Sequence, residues 1–165
     1  MRVELSGTHV VTPLVQTTFV ERNGVVSPNS RWLAYETNEA GRFEIWVQPY
    51  PVGNSGRWQV SNEGGTRPLW ARNGKELFYV SLTGTLMSVG VEGGATWTAT
   101  APTQLIGRGY LLAPPIDSGR SYDVSLDGQR FLMIKDSYSS ENAGARSIIV
   151  VQHWGDELKH LDSTK

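Results

Sequence analysis

One ten-residue pattern occurs three times in this chain, and nothing else in it constrains the fold as tightly. Val26-Ser27-Pro28-Asn29-Ser30-Arg31-Trp32-Leu33-Ala34-Tyr35 aligns without gaps to Trp70–Tyr79 and to Val124–Met133. In each copy an apolar residue leads into Asn or Asp followed by Ser or Gly, and an apolar run comes next. Asn, Asp and Gly tolerate the backbone angles of a tight turn, and Pro28 presets φ one position before it, so each copy predicts strand, short turn, strand. The steps from Ser27 to Ala71 to Ser125 are 44 and 54 residues.

A further β-rich run follows each hairpin: Phe43–Val47, Leu86–Val91 and Ser147–Val151. Fourth strands are expected at Trp58–Ser61 and Thr103–Ile106, set off by glycine-rich turns such as Gly64-Gly65-Thr66. The third repeat lacks a fourth strand. In its place Trp154–Leu161 carries Leu158 and Leu161 at i, i+3 spacing, which predicts one or two helical turns. Four short strands repeated every ~40–50 residues are the sequence signature of propeller blades. The expected fold class is therefore all-β, a β-propeller of about three four-stranded blades per chain, or half a propeller. The expected organisation is a single domain over 1–165: a loose N-terminus at 1–11, an outer strand at 12–20 completing a neighbouring blade, blades at 21–63, 64–107 and 108–153, and a short helix and tail at 154–165.

Three blades do not close a ring, and open ends expose an apolar face and an unpaired strand edge that recruit other chains. Homodimerisation is the expected remedy. In the expected arrangement the Thr12–Thr17 strand of each copy completes the last blade of the other, and a two-fold axis closes a six-bladed ring.

Ser27–Tyr35 and Ser125–Phe131 resemble the Ser-Pro-Asp-Gly-Arg-Trp-Leu-Ala-Tyr repeat of TolB-like, WD-related six-bladed propellers. Asn29-Ser30 stands where that repeat has Asp-Gly, and Ala71-Arg72 where it has Ser-Pro. The run from Pro13 through Tyr50 is similar to the propeller regions that follow some bacterial serine/threonine kinase domains, and Trp154–Leu161 resembles their chain end. The resemblance implies a role in protein contact or sensing. It carries no phosphoryl transfer, because the glycine-rich phosphate loop and the His-Arg-Asp catalytic loop are both missing.

Composition narrows the chemistry. The chain has no cysteine, which excludes disulfides, thiol nucleophiles and thiolate metal sites. Its 15 basic and 16 acidic residues are interspersed, so neither nucleic acid nor a membrane is an expected partner. The start lacks an apolar leader run and no stretch approaches a membrane span, so a cytoplasmic location is the default expectation. No Gly-x-Ser-x-Gly elbow occurs, and His9, His153 and His160 are scattered. Gly64-Gly65 and Gly93-Gly94 read as turns, since the Gly-Lys-Ser/Thr ending of a phosphate loop is absent. Glu36, Glu39 and Glu44 flank a hairpin loop and are expected to be solvated; Asp117, Asp123 and Asp127 lack the spacing of a calcium loop. The six tryptophans, Trp32, Trp46, Trp58, Trp70, Trp97 and Trp154, are expected mainly in the core. No catalytic residue, metal or cofactor is assigned.

One constellation remains. In a propeller the first strand of each blade lines the channel, and the repeat alignment places Asn23, Arg67 and Ser121 at its mouth, with Glu21, Arg22, Arg120, Tyr122 and Asp123 beside them. These eight are the candidate ligand-binding residues, suited to a peptide end or small anion. The expected function is a non-catalytic binding or scaffold module for a protein, peptide or small ligand. The alternatives are a metal-assisted, lactonase-like hydrolase using the channel, or a detached sensor fragment of a kinase-linked propeller.

Overall fold

The structure is a computed structural model that describes residues 1–51, 56–92, 94, 96–107, 109–110, 119–135 and 148–152, the last group by backbone alone. The described residues form thirteen strands and no helix, and none of them builds a helix long and apolar enough to cross a membrane. The strands form four antiparallel sheets. β1 (Arg2–Val3) pairs with β2 (Val11–Thr12). The first large sheet runs β3 (Glu21–Val26), β4 (Trp32–Thr37), β5 (Glu44–Pro49), β6 (Trp58–Gln59), each strand beside the one before it. The second repeats that order with β7 (Thr66–Trp70), β8 (Glu76–Val80), β9 (Leu86–Gly90) and β10 (Thr103–Ile106). The third holds β11 (Tyr122–Val124), β12 (Arg130–Ile134) and β13 (Ile148–Gln152).

The repeated turn is built the same way three times. The N–H of Ser27 donates to the Trp32 carbonyl at 2.8 Å, Ala71 to Glu76 at 2.9 Å and Ser125 to Arg130 at 2.9 Å. The residue three further on donates back to the first carbonyl: Ser30 to Ser27, Gly74 to Ala71 and Gly128 to Ser125. That residue has φ of +56°, +70° and +71° in the three turns, which is why Gly fits it and Ser30 is the strained copy. In the first and third turns the serine hydroxyl also accepts an N–H from the returning strand, Trp32 at 3.0 Å and Arg130 at 3.0 Å. Ala71 cannot do this.

Strand alternation sends successive side chains to opposite faces, and the three sheets use both faces to stack in chain order. Leu77 and Tyr79 of β8 join Trp32, Ala34, Ile45 and Val47 of the first sheet in one core. Phe78 and Val80, from the same strand, join Tyr122, Val124, Phe131 and Met133 of the third sheet in a second core. The Phe78 and Phe131 rings meet edge to face, centroids 5.0 Å apart at 84°. β8 is thus apolar on both faces because a sheet lies on each side of it. Trp32, Trp58, Trp70 and Trp97 form a chain of edge-to-face contacts at 5.4–6.1 Å around the first core, in line with the core reading of these residues.

The N-terminal strand is shorter than the sequence suggests. The strand foreseen at Thr12–Thr17 ends at Thr12, where Pro13 has no N–H to continue a ladder, and its partner is Arg2–Val3 of the same chain. Residues foreseen as a loose end therefore hold a strand, and the segment lies over the outer face of the first sheet, where Gln48 Nε2 donates to the Leu14 carbonyl at 3.4 Å. The helix expected at Trp154–Leu161, together with His153, His160, Asp117, Gly93 and Trp154, lies outside the described residues.

Candidate functional site

The first strands β3, β7 and β11 stand at the same edge of their respective sheets; β3 lies against β7, and the start of β7 is hydrogen-bonded to the start of β11. Two of them carry the same irregularity. The ladder of β3 with β4 shifts between Arg22 and Val25, and that of β7 with β8 shifts between Thr66 and Leu69. Asn23 and Arg67, equivalent in the repeat, sit inside these bulges with φ of +51° and +56°. The bulge re-aims both side chains.

The Asn23 side chain and the Arg67 backbone N–H turn toward Glu36. This residue ends the apolar run of β4, is fully buried, and faces the second sheet. Its carboxylate accepts a hydrogen bond from the Asn23 side-chain amide and, at 3.3 Å, from the backbone N–H of Arg67. Arg22 Nε lies 3.3 Å from its other oxygen, and the Arg22 guanidinium stacks on Phe43, 3.8 Å from the ring centre. A buried carboxylate is tolerable only with such partners.

Arg67 extends the network to the third sheet. Its Nε donates to the Gly119 carbonyl at 3.3 Å, and its own carbonyl accepts the Tyr122 hydroxyl at 2.7 Å. Burial pushes the Arg67 guanidinium below its ordinary value, with Glu36 opposing that shift. Burial likewise pushes the Tyr122 phenol far up, so Tyr122 stays a neutral donor at any working pH. Arg120 Nε donates to the Tyr122 carbonyl at 3.0 Å, and Asp123 caps the N–H of Val124 at 2.9 Å.

All eight residues foreseen as a site thus lie on the first strands or directly before them, and they divide into two groups. Arg67 and Tyr122 are buried and join the sheets. Asn23, Arg120 and Asp123 are exposed, while Glu21, Arg22 and Ser121 are half-buried, so the surface open to a ligand comes from these six. Glu21 accepts a hydrogen bond from the Thr17 hydroxyl.

The solvated reading of Glu36 and Glu44 is corrected by burial: both are essentially inaccessible. Glu44 accepts the N–H of Gly64 at 2.9 Å and the Ser61 hydroxyl, and pairs with Arg42 at 2.8 Å. It ties down the link between the first two sheets, where Gly64 has φ of +91°. Glu39 pairs with Arg57 at the surface. Sequence reasoning missed Glu36 as the centre of the cluster; its signal was an acidic residue continuing the apolar strand Trp32–Tyr35, equivalent to Val80 and Ile134 in the other repeats.

Among the described residues no three His, Asp or Glu side chains gather as a metal-binding group. Neither family models nor curated proteins give any match to this chain.

Proposed function

We propose that the three stacked sheets are consecutive blades of a TolB-like propeller, half of a six-bladed ring completed by a second copy, and that the chain is a non-catalytic binding module. The ligand class is a carboxylate-bearing one, such as a peptide C-terminus, taken up at the mouth formed by Arg22, Asn23, Arg120, Ser121 and the neighbouring acids. The observation that carries this reading is the gathering of Arg22, Arg67 and Arg120 at the starts of three sheets, where the buried Glu36 carboxylate pairs with Arg22 and accepts the Arg67 N–H, and Arg120 donates to the Tyr122 carbonyl. Arg67 and Tyr122 lock the second and third sheets together, and the exposed Arg120, anchored through Nε on the Tyr122 carbonyl, is the preorganised donor. The ligand identity set by this chemistry is an anion with planar, two-oxygen geometry, which a guanidinium grips bidentately.

Calorimetric titration with a short peptide tests the reading. The free-acid peptide is expected to bind, and both its C-terminally amidated form and the Arg120→Gln protein are expected to lose at least about tenfold in affinity. Equal binding of acid and amide, or unaltered affinity in Arg120→Gln, would remove the mouth as the site.

A further inference from the structure

The alternation that stacks the sheets gives each one a backward face and a forward face. Leu33, Leu77 and Phe131 are equivalent in the repeat and point backward, as do Tyr35, Tyr79 and Met133; Ala34, Phe78 and Leu132 point forward. Two forward faces are covered by the next sheet, and Ala34 and Phe78 are fully buried there. Among the described residues no sheet covers the third: Leu132 and Ile134 are 50% and 46% exposed, beside a hollow of about 400 Å³ that Tyr122, Met133, Arg120 and Asp123 also line.

At the other end the backward face of the first sheet carries Leu33 and Tyr35, 3% and 2% exposed, and residues 1–20 lie where the other two backward faces receive a sheet. That cover is a poor substitute. No residue in 1–20 is buried, its own ladder is two residue pairs long, and a cavity of about 540 Å³ bordered by Leu14, Val15, Leu33 and Tyr35 remains beneath it. Each of the two sheet-to-sheet cores, by contrast, holds eight buried residues among those described. The cover also leaves Met1, Leu5 and Val11 at 78%, 90% and 53% exposure.

From this we infer that residues 1–20 are a displaceable plug in the seat for the third sheet of a second copy, so that self-association is held back by the chain's own N-terminal segment. The inference rests on the ring-closure reading above and adds its regulation. The occupant is a second copy because the forward face of one chain and the backward face of another are the two kinds of surface that already meet twice within each chain. A two-fold axis makes both contacts at once. Few buried contacts and short ladders mark a segment that opens at low cost, and the fraction of chains with the plug displaced sets the apparent dimer affinity.

The test is sedimentation equilibrium on the full chain over a range of concentrations, with Leu14→Asp/Val15→Asp to weaken the plug and Leu132→Asp/Ile134→Asp to spoil the forward face. Neither pair contributes a buried residue to the two cores, and circular dichroism checks that both variants fold. The wild type is expected to reach a dimer at high concentration, the plug variant at least about tenfold lower in concentration, and the forward-face change is expected to return either background to monomer. If the wild type dimerises and the plug variant does so no more readily, the plug falls while ring closure stands. If neither associates, both fall, and a dimer that survives Leu132→Asp/Ile134→Asp overturns the assigned seat. As a check that needs no substitution, a non-specific protease should cut within residues 1–20 faster as the wild type becomes dimeric; an unchanged or slower cut contradicts the plug.

Discussion

Neighbouring residues on β12 should differ sharply in what they contribute to stability. Phe131 is fully buried and meets Phe78 edge to face at 5.0 Å, whereas Leu132, one residue on, points to the opposite face and is 50% exposed. Truncating a buried phenylalanine to alanine costs about 3–5 kcal/mol, through lost transfer energy and the cavity left behind. A half-exposed leucine loses only part of its burial energy and leaves no closed cavity, so Leu132→Ala should cost about 1 kcal/mol or less. Urea unfolding of Phe131→Ala and Leu132→Ala measures both, at protein concentrations low enough to keep the chain monomeric. A double-variant cycle with Phe78→Leu and Phe131→Leu should return a coupling of about 0.5–1.5 kcal/mol for the ring pair. Equal costs for Phe131→Ala and Leu132→Ala, or a coupling near zero, would refute the stacking of the third sheet on the second through alternate residues.

Other expectations follow from the joints and turns. Tyr122→Phe removes a buried hydrogen bond from the hydroxyl to the Arg67 carbonyl, so it should destabilise the chain by about 0.5–1.5 kcal/mol in the same unfolding assay. Tyr79 is pushed up to about 12, first by burial and then by Glu44 and Glu63, and Tyr122 is raised further. Both phenols are raised in the folded state, so the stability they represent is intact below pH 10 and is lost as pH rises from there through the folded values. Ultraviolet titration should show these two ionising only as the chain unfolds, and early ionisation of all six tyrosines would contradict their burial. At the other extreme, the Ser125 hydroxyl holds the exposed Asp127 carboxyl below its usual range, with the Gln129 N–H helping. Its contribution is present above the ordinary carboxylate value and fades as pH falls through the lowered one. Ser125→Ala should move the Asp127 titration, followed by carboxyl NMR, back upward.

The fold was legible where local chemistry repeats. The turns at Asn29-Ser30, Asn73-Gly74 and Asp127-Gly128 force hairpins, and the alternation in Leu77-Phe78-Tyr79-Val80 marks a strand covered on both sides, so the position and order of the sheets follow from residues close in sequence. The limits of the N-terminal strand were not legible. Thr12–Thr17 has strand-like composition, but its pairing depends on Arg2–Val3 and on the open backward face of the first sheet, which are tertiary facts. At the edge cluster, repeat alignment found Asn23 and Arg67 as equivalents, and Asn is at home at positive φ. An arginine in that conformation has no sequence signal; it is held by the Glu36 carboxylate, the Gly119 carbonyl and the Tyr122 hydroxyl. Glu36 and Glu44 were misread for the same reason, since an acidic residue beside a hairpin loop looks solvated until its partners from the next turn or the next sheet are in place.

The central claim is that three stacked sheets make half of a ring that a second copy completes. Light scattering after size exclusion, with the wild-type chain loaded over a wide concentration range, tests it most directly. The account predicts a species of 18.2 kDa at low concentration that gives way to a discrete one of twice that mass and goes no further. A mass that stays at 18.2 kDa throughout, or grows past the dimer without limit, would contradict it.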